Sequence, residues 1–206
     1  MAARLDDRYR LVAGAFASEA ARSRESGREL GLPDDRIYDH FAEMASAESK
    51  REDGIDVVSI VTPNRLHHPS AKAFLEAGIP VVCEKPMTTT FEEALELVEM
   101  VARTKLPFCV TFNYTGYPLV RQARDMVAAG AIGDVRVVQV EYAQDWLTTP
   151  LEETGQKQAV WRTDPSHAGA GGCVGDIGTH AFNLAEFVTG LRTEQENLAE
   201  SSHVVA

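Results

Sequence analysis

Three residues combine a reactive side chain with a position that a fold could turn inward: Lys85, Asp176 and His180. Lys85 sits in Glu84-Lys85-Pro86, directly after a short apolar run. A lysine leaving a buried strand at a crevice is partly desolvated, which moves its pKa toward values useful in proton transfer. The competing reading is a solvated lysine in a turn. Asp176 and His180 lie four apart in Gly-Asp-Ile-Gly-Thr-His, which opens an apolar helical segment. On a helix that spacing puts both on one face. A carboxylate beside an imidazole favours the protonated ring and can orient it, so the two form a candidate acid/base pair. The competing reading is an aspartate that caps the helix and an unrelated surface histidine.

Several short β-branched runs alternate with longer amphipathic ones, the pattern of parallel strands joined by crossover helices. Residues 10–17 read as a first strand, with Ser18 capping a helix that stops near Gly31-Leu32-Pro33. A short extended piece at Ile37-Tyr38 and a helix over 41–50 come next. The nearly continuous apolar run 55–61 suits a strand covered on both faces. A helix over 69–77, a strand over 80–84, a helix over 91–103 and a strand over 107–111 complete the winding. Beyond Asn113 the character changes. Residues 117–129 read as helix, 135–144 as a long alternating strand, 145–175 as irregular and 176–188 as a last helix. The predicted class is therefore α/β: an incomplete Rossmann-type doubly wound parallel sheet followed by the start of an α+β substrate domain. The expected boundary separates residues 1–115 from 116–206 and falls between about 115 and 133.

Ligands of open parallel sheets bind beyond the carboxyl ends of the strands. Those positions are polar here: Ser18, then Thr62 and Asn64 with His67 nearby, then Glu84 and Lys85, then Asn113. Other chemistries find less support. His67 and His68 are adjacent and diverge in an extended chain, and no metal-ligand spacing is present, so no metal is expected. No serine-hydrolase elbow or phosphate-binding P-loop occurs. The glycine-rich stretch 169–175 follows an irregular segment and reads as a loop rather than a phosphate cradle.

The formal charge of -11, from 31 acids against 20 bases, argues against nucleic acid and anionic membrane surfaces as partners. No apolar run approaches the roughly 20 residues of a membrane span, and the first ten residues lack the apolar core of a secretion signal. The expected location is the cytoplasm. Cys83, Cys109 and Cys173 lie far apart, which suits a reducing compartment and buried small side chains.

Thr62-Pro63-Asn64 followed by a histidine, then Glu84-Lys85-Pro86 after the next strand, then the 175–180 helix opening form an ordered set. In this order and at these separations it resembles the Gfo/Idh/MocA family of sugar and polyol oxidoreductases, from about Arg8 to Gly190. The resemblance implies hydride transfer between a substrate carbinol carbon and NAD or NADP. It places Lys85, Asp176 and His180 around the reacting hydroxyl, with His180 as acid/base, Lys85 bonding the substrate oxygen and Asp176 orienting the group. It also implies that Ser18, Thr62, Asn64, His67, Glu84 and Asn113 line the cofactor, with Trp161 and Arg162 reaching it from the loop. A small sugar or polyol is the implied partner, and a homo-oligomer the implied assembly.

Three departures accompany it. The family's first strand and glycine-rich turn are not found, and residues 1–5 resemble the tail of the helix that follows that turn. Most of the substrate sheet is not found either, and the polar tail 193–206 matches nothing in the family. The strand over 10–17 ends in Ala17-Ser18 rather than an acid, with Arg22 and Arg24 nearby, so NADP is as well matched as NAD. A catalytically inactive fragment or pseudoenzyme acting as a binding or oligomerisation module is the alternative function, and a sugar-binding module without redox chemistry ranks last.

Overall fold

The computed structural model describes residues 6–193; the expected helix tail at 1–5 and all but the first residue of the polar tail lie outside the described residues. The described chain divides into two compact units. Unit 1 takes residues 6–61, 66–83 and 92–109, and unit 2 takes 62–65, 84–91 and 110–193. Each segment that leaves a strand's carboxyl end thereby groups with unit 2.

Unit 1 is built on strands β1 (Val58–Ile60), β2 (Val81–Cys83) and β3 (Phe108–Val110), in the order β1-β2-β3; Val110 itself belongs to unit 2. β1 and β2 run parallel, with Val58 opposite Val81 and Ile60 opposite Cys83. The helices of this part of the chain are α1 (Ala20–Glu29), α2 (Phe41–Glu48), α3 (His67–Glu76) and α4 (Phe91–Thr104). α3 packs on β1 and β2. Phe74 and Leu75 of α3, Val81 of β2 and Leu97 of α4 are each at most 2% exposed. Full burial of such a side chain stabilises by about 1.5–3 kcal/mol. Gly78, at φ 81°, turns the chain from the end of α3 toward β2 in a conformation a side chain would strain.

A closed polar cluster lies beside this core. Nη2 of Arg36 donates to Oε2 of Glu48 at 2.7 Å, and the Tyr38 hydroxyl donates to Oε1 at 2.6 Å. The two ion-paired side chains are 6% and 0% exposed. Burial, then the bond to Glu48, pushes the Tyr38 phenol up to about 12. Ser23 is equally enclosed: its hydroxyl accepts from Phe16 N at 3.0 Å and donates to Tyr38 O at 2.8 Å.

Several expectations are corrected. The strand over 10–17 reduces to one parallel bridge, Gly14 with Ile37, because among the described residues its only ladder bonds link Gly14 with Arg36 and Tyr38. Glu19, not Ser18, precedes α1 and contributes no side-chain cap. The apolar run 55–61 contains only three ladder residues, since a strand extends only as far as its partner pairs with it. Cys83 is buried as expected, but Cys109 and Cys173 are exposed. Among the described residues no helix is long and apolar enough to cross a membrane.

Unit 2 contains a 3₁₀ turn at Asn113–Gly116 and helices α5 (Pro118–Ala128), α6 (Lys157–Arg162), α7 (Pro165–Ala168) and α8 (Thr179–Thr189). α5 packs on α8, where the Arg124 guanidinium lies 4.9 Å from the centroid of the Phe187 ring. Gly190, at φ 72°, ends α8. Residues 145–175, expected to be irregular, hold α6, α7 and a further turn at Leu151–Thr154. Local caps explain this: Gln156 accepts from Ala159 N, and Asp164 accepts from Ser166 N with Pro165 at the first helical position. Residues 135–144 form no strand, because their alternation meets no pairing partner among the described residues.

Candidate active site

Lys85 leaves the end of β2 and enters unit 2, where Asp176 meets it. Nζ of Lys85 donates to both the backbone O and Oδ1 of Asp176, each at 2.6 Å. Nε of Arg162, the last residue of α6, donates to the other carboxylate oxygen, Oδ2, at 3.0 Å. Asp176 is therefore held between two cations. Burial alone would raise its carboxyl pKa, but the bond to Lys85 and the two positive charges outweigh burial and hold it below the ordinary 3.8.

Asp176 lies in a single π-helical turn, Val174–Gly178, that runs directly into α8. Such a turn inserts a residue into the helical register and redirects side chains, and it recurs at functional sites. Asp176 is thus neither a helix cap nor isolated. His180, one residue into α8, is 5% exposed. The Tyr114 ring meets it edge-on with centroids 4.7 Å apart, and Phe112 does so at 6.0 Å. Its Nδ1 has no hydrogen-bond partner among the described residues, and a buried polar atom in that state calls for a partner.

The expected electrostatics of the pair is corrected. Asp176 does favour the protonated ring, but burial first and the Lys85 charge second push the His180 pKa below the ordinary 6.5. The imidazole is neutral near pH 7. Asp176 directs its carboxylate to Lys85 and Arg162 rather than to the imidazole.

Lys85, Arg162, Asp176 and His180 line one open cavity of about 420 Å³ within unit 2, together with Tyr114 and Trp146. The Tyr114 hydroxyl shares a 2.6 Å hydrogen bond with that of Tyr142. That bond, with some burial, pushes its pKa up to about 12, so it stays a neutral phenol. The Arg162 guanidinium lies 4.2 Å from the Trp161 ring centroid and 5.6 Å from that of Trp146, a cation–π arrangement.

The remaining expected residues scatter. Asn64 is buried, and its Nδ2 donates to Ala168 O at 3.0 Å. Glu84 accepts from the Lys85 backbone N at 3.2 Å. Thr62 is half-buried and Asn113 is exposed, both in unit 2. Ser18 is exposed and His67 is 1% exposed, both in unit 1. Arg162 also pairs with Asp176. Tyr114, Tyr142 and Trp146 were missed. The available signal for Tyr114 was its place one residue after Asn113, at a strand's carboxyl end.

The chain matches the family model described as an oxidoreductase family with an NAD-binding Rossmann fold over residues 2–112, and that family's C-terminal domain over residues 120–199. The second match runs past Gly190 into the polar tail that sequence reading left unmatched. An uncharacterized oxidoreductase of Bacillus subtilis is 37% identical over 180 residues, 87% of this chain and 46% of the relative. Levoglucosan dehydrogenase of Pseudarthrobacter phenanthrenivorans is 38% identical over 136 residues, 66% of this chain and 33% of the relative. Among solved structures, an inositol dehydrogenase homolog from Azotobacter vinelandii complexed with NAD+ is 41% identical, with a TM-score of 0.85 over 90% of this chain and 47% of that one. The chain thus spans about half the length, or less, of these relatives.

Proposed function

This chain belongs to the Gfo/Idh/MocA oxidoreductase family, and on that premise we propose that its cavity is a site of hydride transfer between a nicotinamide cofactor and a sugar or polyol. One observation carries the reading: a buried imidazole, whose Nδ1 has no partner among the described residues, shares a cavity with an ammonium held by a carboxylate.

The donor set suits such a cofactor. The hydroxyls and amides of Ser18, Thr62, Asn64 and Asn113, the Glu84 carboxylate and the Trp161 ring would hold it, matching ribose hydroxyls and a carboxamide. When bound, the nicotinamide supplies the hydride chemistry. His180 takes the proton of the substrate hydroxyl in oxidation and returns it in reduction, which its lowered pKa permits near neutral pH. Lys85 donates a hydrogen bond to the same oxygen, stabilising the charge that develops there. Asp176 aims Lys85, and Arg162 fixes Asp176 from the other side. Residues to about 115 serve the cofactor and those from 116 the substrate. The cofactor is NAD or NADP, and the working form is a cytoplasmic homo-oligomer.

The test follows NAD(P)H formation by the purified protein with myo-inositol and levoglucosan, the ring compounds its relatives' names point to. Turnover that disappears in Lys85→Ala supports the proposal. No turnover with either cofactor, combined with no cofactor binding by tryptophan fluorescence, rejects it.

A further inference from the structure

Three glutamines line the cavity beside the reactive groups: Gln144, Gln156 and Gln158. Each has its carboxamide oxygen engaged. Gln144 Oε1 accepts from Nε1 of Trp146 at 3.3 Å, and Gln156 Oε1 accepts from the backbone N of Ala159 at 2.7 Å. Gln158 Oε1 accepts from Nε1 of Trp161 at 3.2 Å and from Nη1 of Arg162 at 2.5 Å.

The two ends of a carboxamide have nearly the same shape, so hydrogen-bond partners decide which way it points. Indole, guanidinium and backbone N–H groups only donate. All three oxygens must therefore face them, and the NH₂ group is what each glutamine has left for a ligand. None of the three NH₂ groups has an acceptor among the described residues.

The charged groups point the same way. Lys85 and Arg162 against Asp176 leave one net positive charge on the cavity wall, with His180 neutral. Both Asp176 carboxylate oxygens are already engaged, so the lining carboxylate is taken while N–H donors remain. A neutral polyol brings a hydroxyl hydrogen with every oxygen, and beyond the one that His180 takes, the Asp176 carboxylate is not free to accept them. A carboxylate brings negative charge and acceptors alone, and a charged acceptor makes the stronger hydrogen bond.

We infer that Gln144, Gln156 and Gln158 form a subsite for the carboxylate of a sugar acid, a uronate or aldonate. This rests on the redox reading above and narrows its substrate class.

Tryptophan fluorescence titrations test it, because Trp146 lines the same cavity. The probes are D-glucuronate, D-galacturonate and D-gluconate, each against its neutral counterpart D-glucose, D-galactose or D-glucitol. At least one acid is expected to bind about tenfold or more tightly than its counterpart, the size of a hydrogen bond to a charged group. Gln144→Glu and Gln156→Glu keep the engaged oxygen and replace the NH₂ by a negative oxygen. Both are expected to erase the preference while the melting temperature holds. Neutral counterparts binding as well as every acid, no binding of any probe, or a preference that survives both substitutions would each overturn the subsite. Turnover is a separate readout: NAD(P)H formation with neutral sugars and no acid preference rejects the subsite but keeps the redox function. An acid preference in binding, with no turnover of any probe and no binding of either cofactor, rejects the redox function but keeps the subsite.

Discussion

Each unit holds a cation–carboxylate pair at about the same distance, and only one of the two pairs lines an open cavity together with a histidine. In unit 1, Arg36 and Glu48 meet at 2.7 Å, almost wholly enclosed, and Tyr38 takes the second carboxylate oxygen. In unit 2, Lys85 and Asp176 meet at 2.6 Å with side chains 14% and 20% exposed, on the wall of a cavity that His180 also lines. Ion pairing by itself therefore says little about function. What separates the pair proposed to be reactive from the structural one is access, together with a titratable neighbour on the same cavity wall.

That contrast can be broken from either side. The largest effect is expected at Asp176→Ala, which leaves Lys85 unaimed. Turnover should fall by about 10²-fold or more, the range of a lost transition-state donor, and steady-state kinetics would read it. Glu48→Ala should do the opposite. Turnover per folded molecule stays near wild type, but stability drops by up to about 3–5 kcal/mol, because buried Arg36 keeps only exposed Asp53 as a charged partner and Tyr38 loses its acceptor. Chemical denaturation measures that loss.

A subtler test is the pH profile. His180 has a pKa lowered by burial and by Lys85, so a rate that needs the neutral ring should hold until the pH falls through that lowered value, below 6.5. Tyr114→Ala uncovers the ring, lets it charge more readily, and should move the acid limb to higher pH. Tyr114→Phe keeps the edge-on contact and should leave the limb in place. The smallest effect belongs to the exposed pair of Arg24 and Asp39, 49% and 40% exposed: Asp39→Ala should cost no more than about 1 kcal/mol.

Much of this contrast was legible in the sequence, and its limits are physical. The convergence of Lys85 with Asp176 and His180 followed from ordered motifs at strand and helix ends. The helices at 41–50 and 91–103 followed from their apolar spacing, and α2 and α4 occupy those positions. The pairing of Arg162 with Asp176 did not follow, because a four-residue spacing says which side chains share a face and not which second cation arrives from elsewhere. Residues 135–144 alternate like a strand, yet alternation encodes a face and not a partner. The glutamines carry no charge and no motif, so only their bonds to Trp146, Ala159, Trp161 and Arg162 reveal them.

The most direct measurement compares His180→Ala with wild type in both turnover and cofactor affinity. Turnover is expected to fall by about 10²–10⁴-fold, the range of a removed acid/base group, with NAD(P)H affinity within several-fold of wild type. Wild-type turnover in that variant would contradict the assignment of the reactive cavity.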